Sequence, residues 1–166
     1  MELHSMSKSI IALVADDQQA ARELAQEVRE RMYAGDHATR AMGIAIVDVG
    51  PGSAHVRMRV RQDMLNGFAI CHGGLLTTLA DTAFAYACNA YNEITVASGL
   101  SIDFVAPAKE GDVLDARCEE QAVSGRTGVY DVVVTNQRDE RIALFRGRSY
   151  RFKGKPVVEP NAHAPT

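Results

Sequence analysis

The sequence predicts an α+β domain in which one long apolar helix lies against an antiparallel sheet of about six strands. Three observations lead there. The stretch from Asn66 to Asn89, NGFAICHGGLLTTLADTAFAYACN, reads as a single helix opened by a glycine pair and apolar along one side. Strand-like runs rich in Val and Ile flank it, two before and four after. The 166 residues, 46% of them hydrophobic, suit one domain with a proper core. A helix this apolar has to be buried, and a sheet curled around it supplies the cover. Curling leaves sheet edges open, and pairing with a second copy of the chain closes them.

Each element has its own local reason. Residues Met1 to Ser9 are polar and mixed, so 1–16 is expected to be a loose leader ahead of a domain spanning 17–155. From Asp17 to Tyr33 the chain is rich in Ala, Glu, Gln and Arg, lacks Gly and Pro, and repeats Leu24, Val28 and Met32 every four residues. That spacing predicts an extra N-terminal helix, ended by Gly35, whose narrow stripe packs on the domain edge. Gly43 to Val49 and His55 to Arg61 read as a hairpin turned by Pro51-Gly52, with Val56, Met58 and Val60 alternating against polar neighbours. After the central helix come strands at Thr95 to Phe104, Val113 to Val123, Thr127 to Asn136 and Ile142 to Arg151. Pro107 to Gly111, Ser124-Gly125 and Gln137 to Glu140 separate them. The proline-containing end, 156–166, is expected to fray.

Composition narrows the function. Eighteen basic and twenty-one acidic residues leave a formal charge of −3, which gives no overall attraction for nucleic acid or an anionic membrane. The three cysteines, Cys71, Cys88 and Cys118, are odd in number and lack metal-ligand spacing, so no metal is expected and a reducing, cytoplasmic setting is. No zinc spacing, P-loop, dinucleotide-binding glycine set or GxSxG elbow occurs.

The central helix holds the candidate chemistry. Leu76, Leu79, Ala80, Ala83, Phe84 and Ala87 share one side, while Thr78, Asp81, Thr82 and Asn89 share the other. Asp81 is the only charge on this helix, so it is either a structural acid held by Thr78 or Asn89, or a functional carboxylate. The pair Gly73-Gly74 serves either a tight turn with positive φ or a place where helix-start N–H groups meet an oxyanion. His72 is either a cap or a general base. Cys71 beside it makes a poor Cys–His pair, because adjacent side chains diverge. Asn66 offers an amide to a carbonyl or water, or simply forms a turn with Gly67. Asp81 lies eight residues beyond Gly73, about 12 Å along the axis, too far for one chain's pair to grip one carbonyl. Cooperation across a twofold axis is the geometry that works. Arg146, Arg148, Arg151, Lys153 and Lys155 form the densest basic run, a solvated sheet edge or a partner for phosphates.

The stretch MLNGFAICHGGLLTTLADTAFAYACN, with TGVYDVVVTNQ and ALFRGRSYR later, closely resembles the PaaI-type acyl-CoA thioesterases of phenylacetate degradation, members of the hotdog superfamily. The resemblance runs from about Met32 to Lys155. It implies a hotdog fold, a long helix wrapped by a sheet, in homodimers with interface active sites that pair into homotetramers. It implies an acyl-CoA substrate with no separate cofactor, and hydrolysis of phenylacetyl-CoA or hydroxyphenylacetyl-CoA to the acid and coenzyme A. By position, Asp81 matches the catalytic carboxylate as general base or nucleophile, and Gly73 the backbone donor to the thioester carbonyl. Asn66 matches the residue that positions water or thioester, and His72 a supporting histidine. Gly74, Thr82, Ser98, Phe68, Arg148 and Lys153 are the expected substrate-binding residues, with Leu65 and Tyr91 beside Phe68 in an apolar acyl pocket. Related hotdog thioesterases carry a hydroxyl one turn after the carboxylate, or a serine on the next strand, to hold the water; here the first position is Ala85, and Thr82 or Ser98 is the expected substitute. A non-catalytic acyl-CoA sensor on the same fold is the alternative, and the carboxylate Asp81 argues against it.

Overall fold

In the computed structural model, which describes residues 2–159, α1 (Glu2–Gly35) and the short α2 (His37–Ala41) precede a hairpin of β1 (Ala45–Gly50) and β2 (Ser53–Arg59). A 3-10 turn at Gln62–Met64 leads into the central helix α3 (Gly73–Asn89). Four strands follow: β3 (Thr95–Phe104), β4 (Val113–Ser124), β5 (Thr127–Thr135) and β6 (Arg141–Arg151). All six form one antiparallel sheet in the order β1-β2-β4-β5-β6-β3. Single-residue register shifts between Ala97 and Gly99 on β3 and between Glu120 and Ala122 on β4 mark bulges, which bend and twist their strands. This is the expected hotdog arrangement, a long helix wrapped by a curled sheet with an extra helix in front.

The core lies between α3 and the concave face of the sheet. Leu79, Ala80, Ala83 and Ala87 are buried there with Val56, Leu114 and Val132. Phe84 anchors the layer, its ring 5.4 Å from Tyr130 and 5.9 Å from Phe145. It sits over β6 at Gly147, where a Cβ would lie only 2.9 Å from Phe84 Cδ2. Glycine there lets the helix approach the sheet.

Four local expectations are corrected. The first helix begins at Glu2, ahead of Asp17, because no Gly or Pro interrupts the run from Glu2 to Ala34. Residues 2–16 are therefore helical in backbone; Met1 lies outside the described residues. The helix packs on β1 as an edge element, with Arg22 paired to Asp48 at 2.9 Å and Gln26 donating to the Val49 carbonyl at 2.6 Å. Second, α2 has no counterpart in the sequence reading; Asp36 starts it by accepting from Thr39 N at 3.1 Å and Thr39 Oγ1 at 2.7 Å. Third, burial does not divide between the two sides of the central helix, since Thr82 and Asn89 are buried along with the apolar residues. Fourth, residues 156–159 are not a frayed end, since the backbone of Val157 and Val158 bonds Asn92. Residues 160–166 of the expected tail lie outside the described residues.

Candidate active site

The helix start is built by its own sequence. His72 is extended (φ −63°, ψ 132°), and its Nδ1 accepts from Gly74 N at 3.0 Å, so the ring caps α3. That places the neutral ring's proton on Nε2, and it uses up the Gly74 N–H. Of the two roles open to His72 the cap is the one it fills here. Neither Gly73 nor Gly74 has positive φ, so the turn explanation of the pair fails. A close approach replaces it: a Cβ on Gly73 would lie 3.0 Å from Phe104 Cζ. As the first helical residue, Gly73 has no intrahelical acceptor for its N–H, and none among the described residues receives it. The free donor thus sits at the positive end of the α3 dipole.

Asn66 closes the preceding loop. Its Oδ1 accepts from Phe68 N at 2.9 Å, and its backbone N donates to the Ile70 carbonyl at 2.8 Å. Ala69, in the same loop, is held at φ +58°. The side-chain oxygen is committed to the turn, which leaves the amide NH2 as the group Asn66 can offer. Asn66 and Gly73 share a cavity of about 590 Å³ with Phe104 and Val105. Phe68, at the tip of this loop, is 87% exposed.

Asp81 lies two turns further along α3, on a different cavity of about 430 Å³ that it shares with Ala85, Val96 and Ala97. Its Oδ1 is buried and finds no hydrogen-bond partner among the described residues. Thr78 and Asn89, the candidates for holding it, are engaged elsewhere. Thr78 Oγ1 donates to the Gly74 carbonyl at 3.0 Å, and Asn89 Nδ2 donates to the carbonyls of Ala85 and Thr95 at 3.0 and 2.8 Å. Burial pushes the Asp81 carboxyl above the usual carboxylate range. An acid with no structural partner and a raised pKa, facing a cavity, fits a proton-transfer group better than a structural one.

The other expected residues are spread around these two cavities. Thr82 is buried and its hydroxyl donates to the Thr78 carbonyl at 2.8 Å, so it is turned toward its own helix rather than toward a water. Ser98 occupies the β3 bulge, exposed, with Oγ donating to the Arg148 carbonyl at 3.1 Å. Arg148 is exposed and lies over Gly99, where a Cβ would be 3.1 Å from its Nη2. Arg146 is taken by Asp131, at 2.6 and 2.7 Å, and Arg151 by Glu93 and the Tyr91 ring. Arg148, Lys153 and Lys155, all exposed, therefore remain the cations of that run available to a ligand. Leu65 packs on the core and Tyr91 lies beneath Arg151, so neither lines either cavity, and Phe68 projects into solvent. Burial raises the Cys71 thiol to about 11 and the Cys88 thiol to about 12, which keeps both protonated and unreactive at neutral pH. Sequence reasoning missed Phe104, Met32 and Val157, which reach the cavities from distant parts of the chain.

A hotdog domain with a free N–H at the start of its central helix and an unpartnered carboxylate on the same helix has the parts of an acyl-transfer site. Comparison with known proteins gives the class: residues 68–143 match the thioesterase superfamily. The chain is 47% identical over 123 residues to the acyl-coenzyme A thioesterase PaaI of Escherichia coli K12, covering 74% of this chain and 88% of that protein. The solved structure of the E. coli PaaI protein from the phenylacetic acid degradation operon superposes with a TM-score of 0.79 at 44% identity, over 81% of this chain and 97% of that one. A hypothetical thioesterase from Streptococcus pneumoniae TIGR4, solved with coenzyme A, aligns at 26% identity and a TM-score of 0.65, over 68% of this chain and 90% of that one. The chain belongs to the thioesterase superfamily, in its PaaI-type branch.

Proposed function

We propose that the protein hydrolyses arylacetyl-CoA thioesters, phenylacetyl-CoA or its hydroxylated forms, to the free acid and coenzyme A. The observation that carries this reading is the Asp81 carboxyl, which lines a cavity and whose buried Oδ1 has no partner among the described residues. A pure acyl-CoA binder gains nothing from a desolvated carboxylate, whose charge weakens binding of an anionic ligand. The relatives named for acyl-CoA cleavage and for bound coenzyme A support the substrate class.

In one chain Asn66 and Gly73 line one cavity and Asp81 another. The site becomes whole if two protomers pair along β3, the edge strand beside β6, whose Leu100 and Phe104 are 40% and 54% exposed. The Gly73 N–H of one protomer then polarises the thioester carbonyl, and the partner's carboxylate activates water. The Asn66 amide orients that water or the thioester. Asp81 acts as a general base, because a raised pKa makes it a stronger base at working pH than an ordinary carboxylate. Proton transfer to the departing thiolate completes the balance. Two such dimers form the tetramer, and Arg148 and Lys153 meet the phosphates of coenzyme A.

The test follows free-thiol release from phenylacetyl-, hydroxyphenylacetyl-, benzoyl-, short-chain and long-chain CoA esters, with wild type and Asp81→Asn side by side. Rapid arylacetyl cleavage that collapses about 10²–10⁴-fold in the variant is the expected result. Binding of the esters without cleavage by wild type would favour the sensor instead.

A further inference from the structure

We propose that the acyl group sits in the cavity beside Asp81 and that Met32 and Val157, both outside the family-matched residues 68–143, set the size of acyl group accepted. The proposal rests on the thioesterase reading and adds to it the residues that choose the substrate. The cavity, about 430 Å³, falls within the range of small-molecule pockets. Its polar lining is already satisfied apart from Asp81. Asn89 Oδ1 accepts from Thr95 N at 2.9 Å, its Nδ2 donates to the Ala85 and Thr95 carbonyls and lies 3.6 Å from Cys88 Sγ, and Thr95 Oγ1 donates to the Glu93 carbonyl at 2.8 Å. What remains for a ligand is apolar wall, which suits an arylacetyl group.

Val157 reaches that wall on a clamped strap. Beyond β6 the chain folds back: Phe152 N donates to the Ile94 carbonyl at 2.8 Å and Ile94 N to the Lys155 carbonyl at 2.7 Å. Asn92 completes the clamp. Its Oδ1 accepts from Val157 N at 3.0 Å and Val158 N at 2.9 Å, and its Nδ2 donates to the Val158 carbonyl at 3.0 Å. Asn92 holds φ +59°, a left-handed conformation that asparagine tolerates better than most residues. A wall held by five hydrogen bonds has a fixed depth, so a bulky acyl group meets resistance instead of a yielding tail. Met32, from the last turn of α1, contributes a second wall from the other end of the sequence.

The experiment measures kcat/KM for acetyl-, phenylacetyl- and phenylbutyryl-CoA in wild type, Val157→Phe, Val157→Ala and Met32→Ala, with thermal melting of each protein. Val157→Phe lowers the phenylacetyl-to-acetyl ratio about tenfold or more, and the two alanine variants raise the phenylbutyryl-to-phenylacetyl ratio about tenfold, the scale on which apolar pockets discriminate methylenes. Asn92→Gly, which keeps the left-handed backbone but removes the clamp, relaxes the size preference, and Asn92→Asp, which keeps the acceptor, restores it. If Val157→Phe does not melt cooperatively, the alanine variants decide. Unchanged ratios in active, folded variants overturn this assignment alone, whereas a wild type that cleaves no ester overturns the thioesterase reading and the assignment with it.

Discussion

Asp81 is expensive to keep. Its raised pKa means that the folded chain holds the proton more tightly than the unfolded chain does. Stability is therefore lost as pH rises from the unfolded carboxyl value through the folded one, and the loss is complete above both. Asp81→Asn removes that penalty, and its Tm at pH 8 should lie above that of wild type. The gain should vanish in acid, where the carboxyl is protonated in both states. The same pKa sets activity with the opposite sense. A general base works ionised, so kcat/KM should fall as pH drops through the raised value, with an acid limb above the ordinary carboxylate range in a pH–rate profile. Gly73 permits an equally direct test. Gly73→Pro suits the first helical position, follows an extended residue and removes the N–H, while Gly73→Ala makes the same contact with Phe104 and keeps it. The proline variant should lose about 10²–10³-fold in kcat relative to the alanine variant. At this scale the sequence shows a lone charge on an apolar helix. It does not show that the charge lacks a partner, because Thr78 and Asn89 stand on the same helical side and only the fold reveals that both are bonded elsewhere.

The central element is α3, and its seat on the sheet depends on where glycine replaces a side chain. Gly147→Val should destabilise the fold by about 1–3 kcal/mol in a urea titration, since its Cβ falls 2.9 Å from Phe84 in the core. Gly67→Ala, at an open loop position, should stay within about 0.5 kcal/mol in the same urea titration. The period of two is plain in β2, where Ala54, Val56 and Met58 are buried between more exposed neighbours, and β3 begins and ends at the residues marked in the sequence, Thr95 and Phe104. The elements that escape are those without a period. The five residues of α2 are too few for one, and the start of α1 lies in a polar, serine-containing stretch that composition does not mark as helix. The strap at 155–158 is held by the Ile94 backbone and the Asn92 side chain, both more than sixty residues away, which no local pattern encodes.

In the molecule as a whole, the donor at the helix start and the carboxylate two turns on face separate cavities, and a second copy of the chain is what joins them in the proposed enzyme. The separation itself is readable from helix rise, since eight residues span about 12 Å. Which walls surround each half is not, because Met32 and Val157 meet at one cavity from opposite ends of the chain. The most direct measurement mixes two inactive proteins, Gly73→Pro and Asp81→Asn, unfolds and refolds them together, and follows phenylacetyl-CoA cleavage. Each mixed dimer carries one site with an intact Gly73 from one chain and an intact Asp81 from the other, so random pairing should restore about a quarter of wild-type activity. Mixtures no more active than the separate variants, while mixed dimers form, would contradict a site shared between protomers.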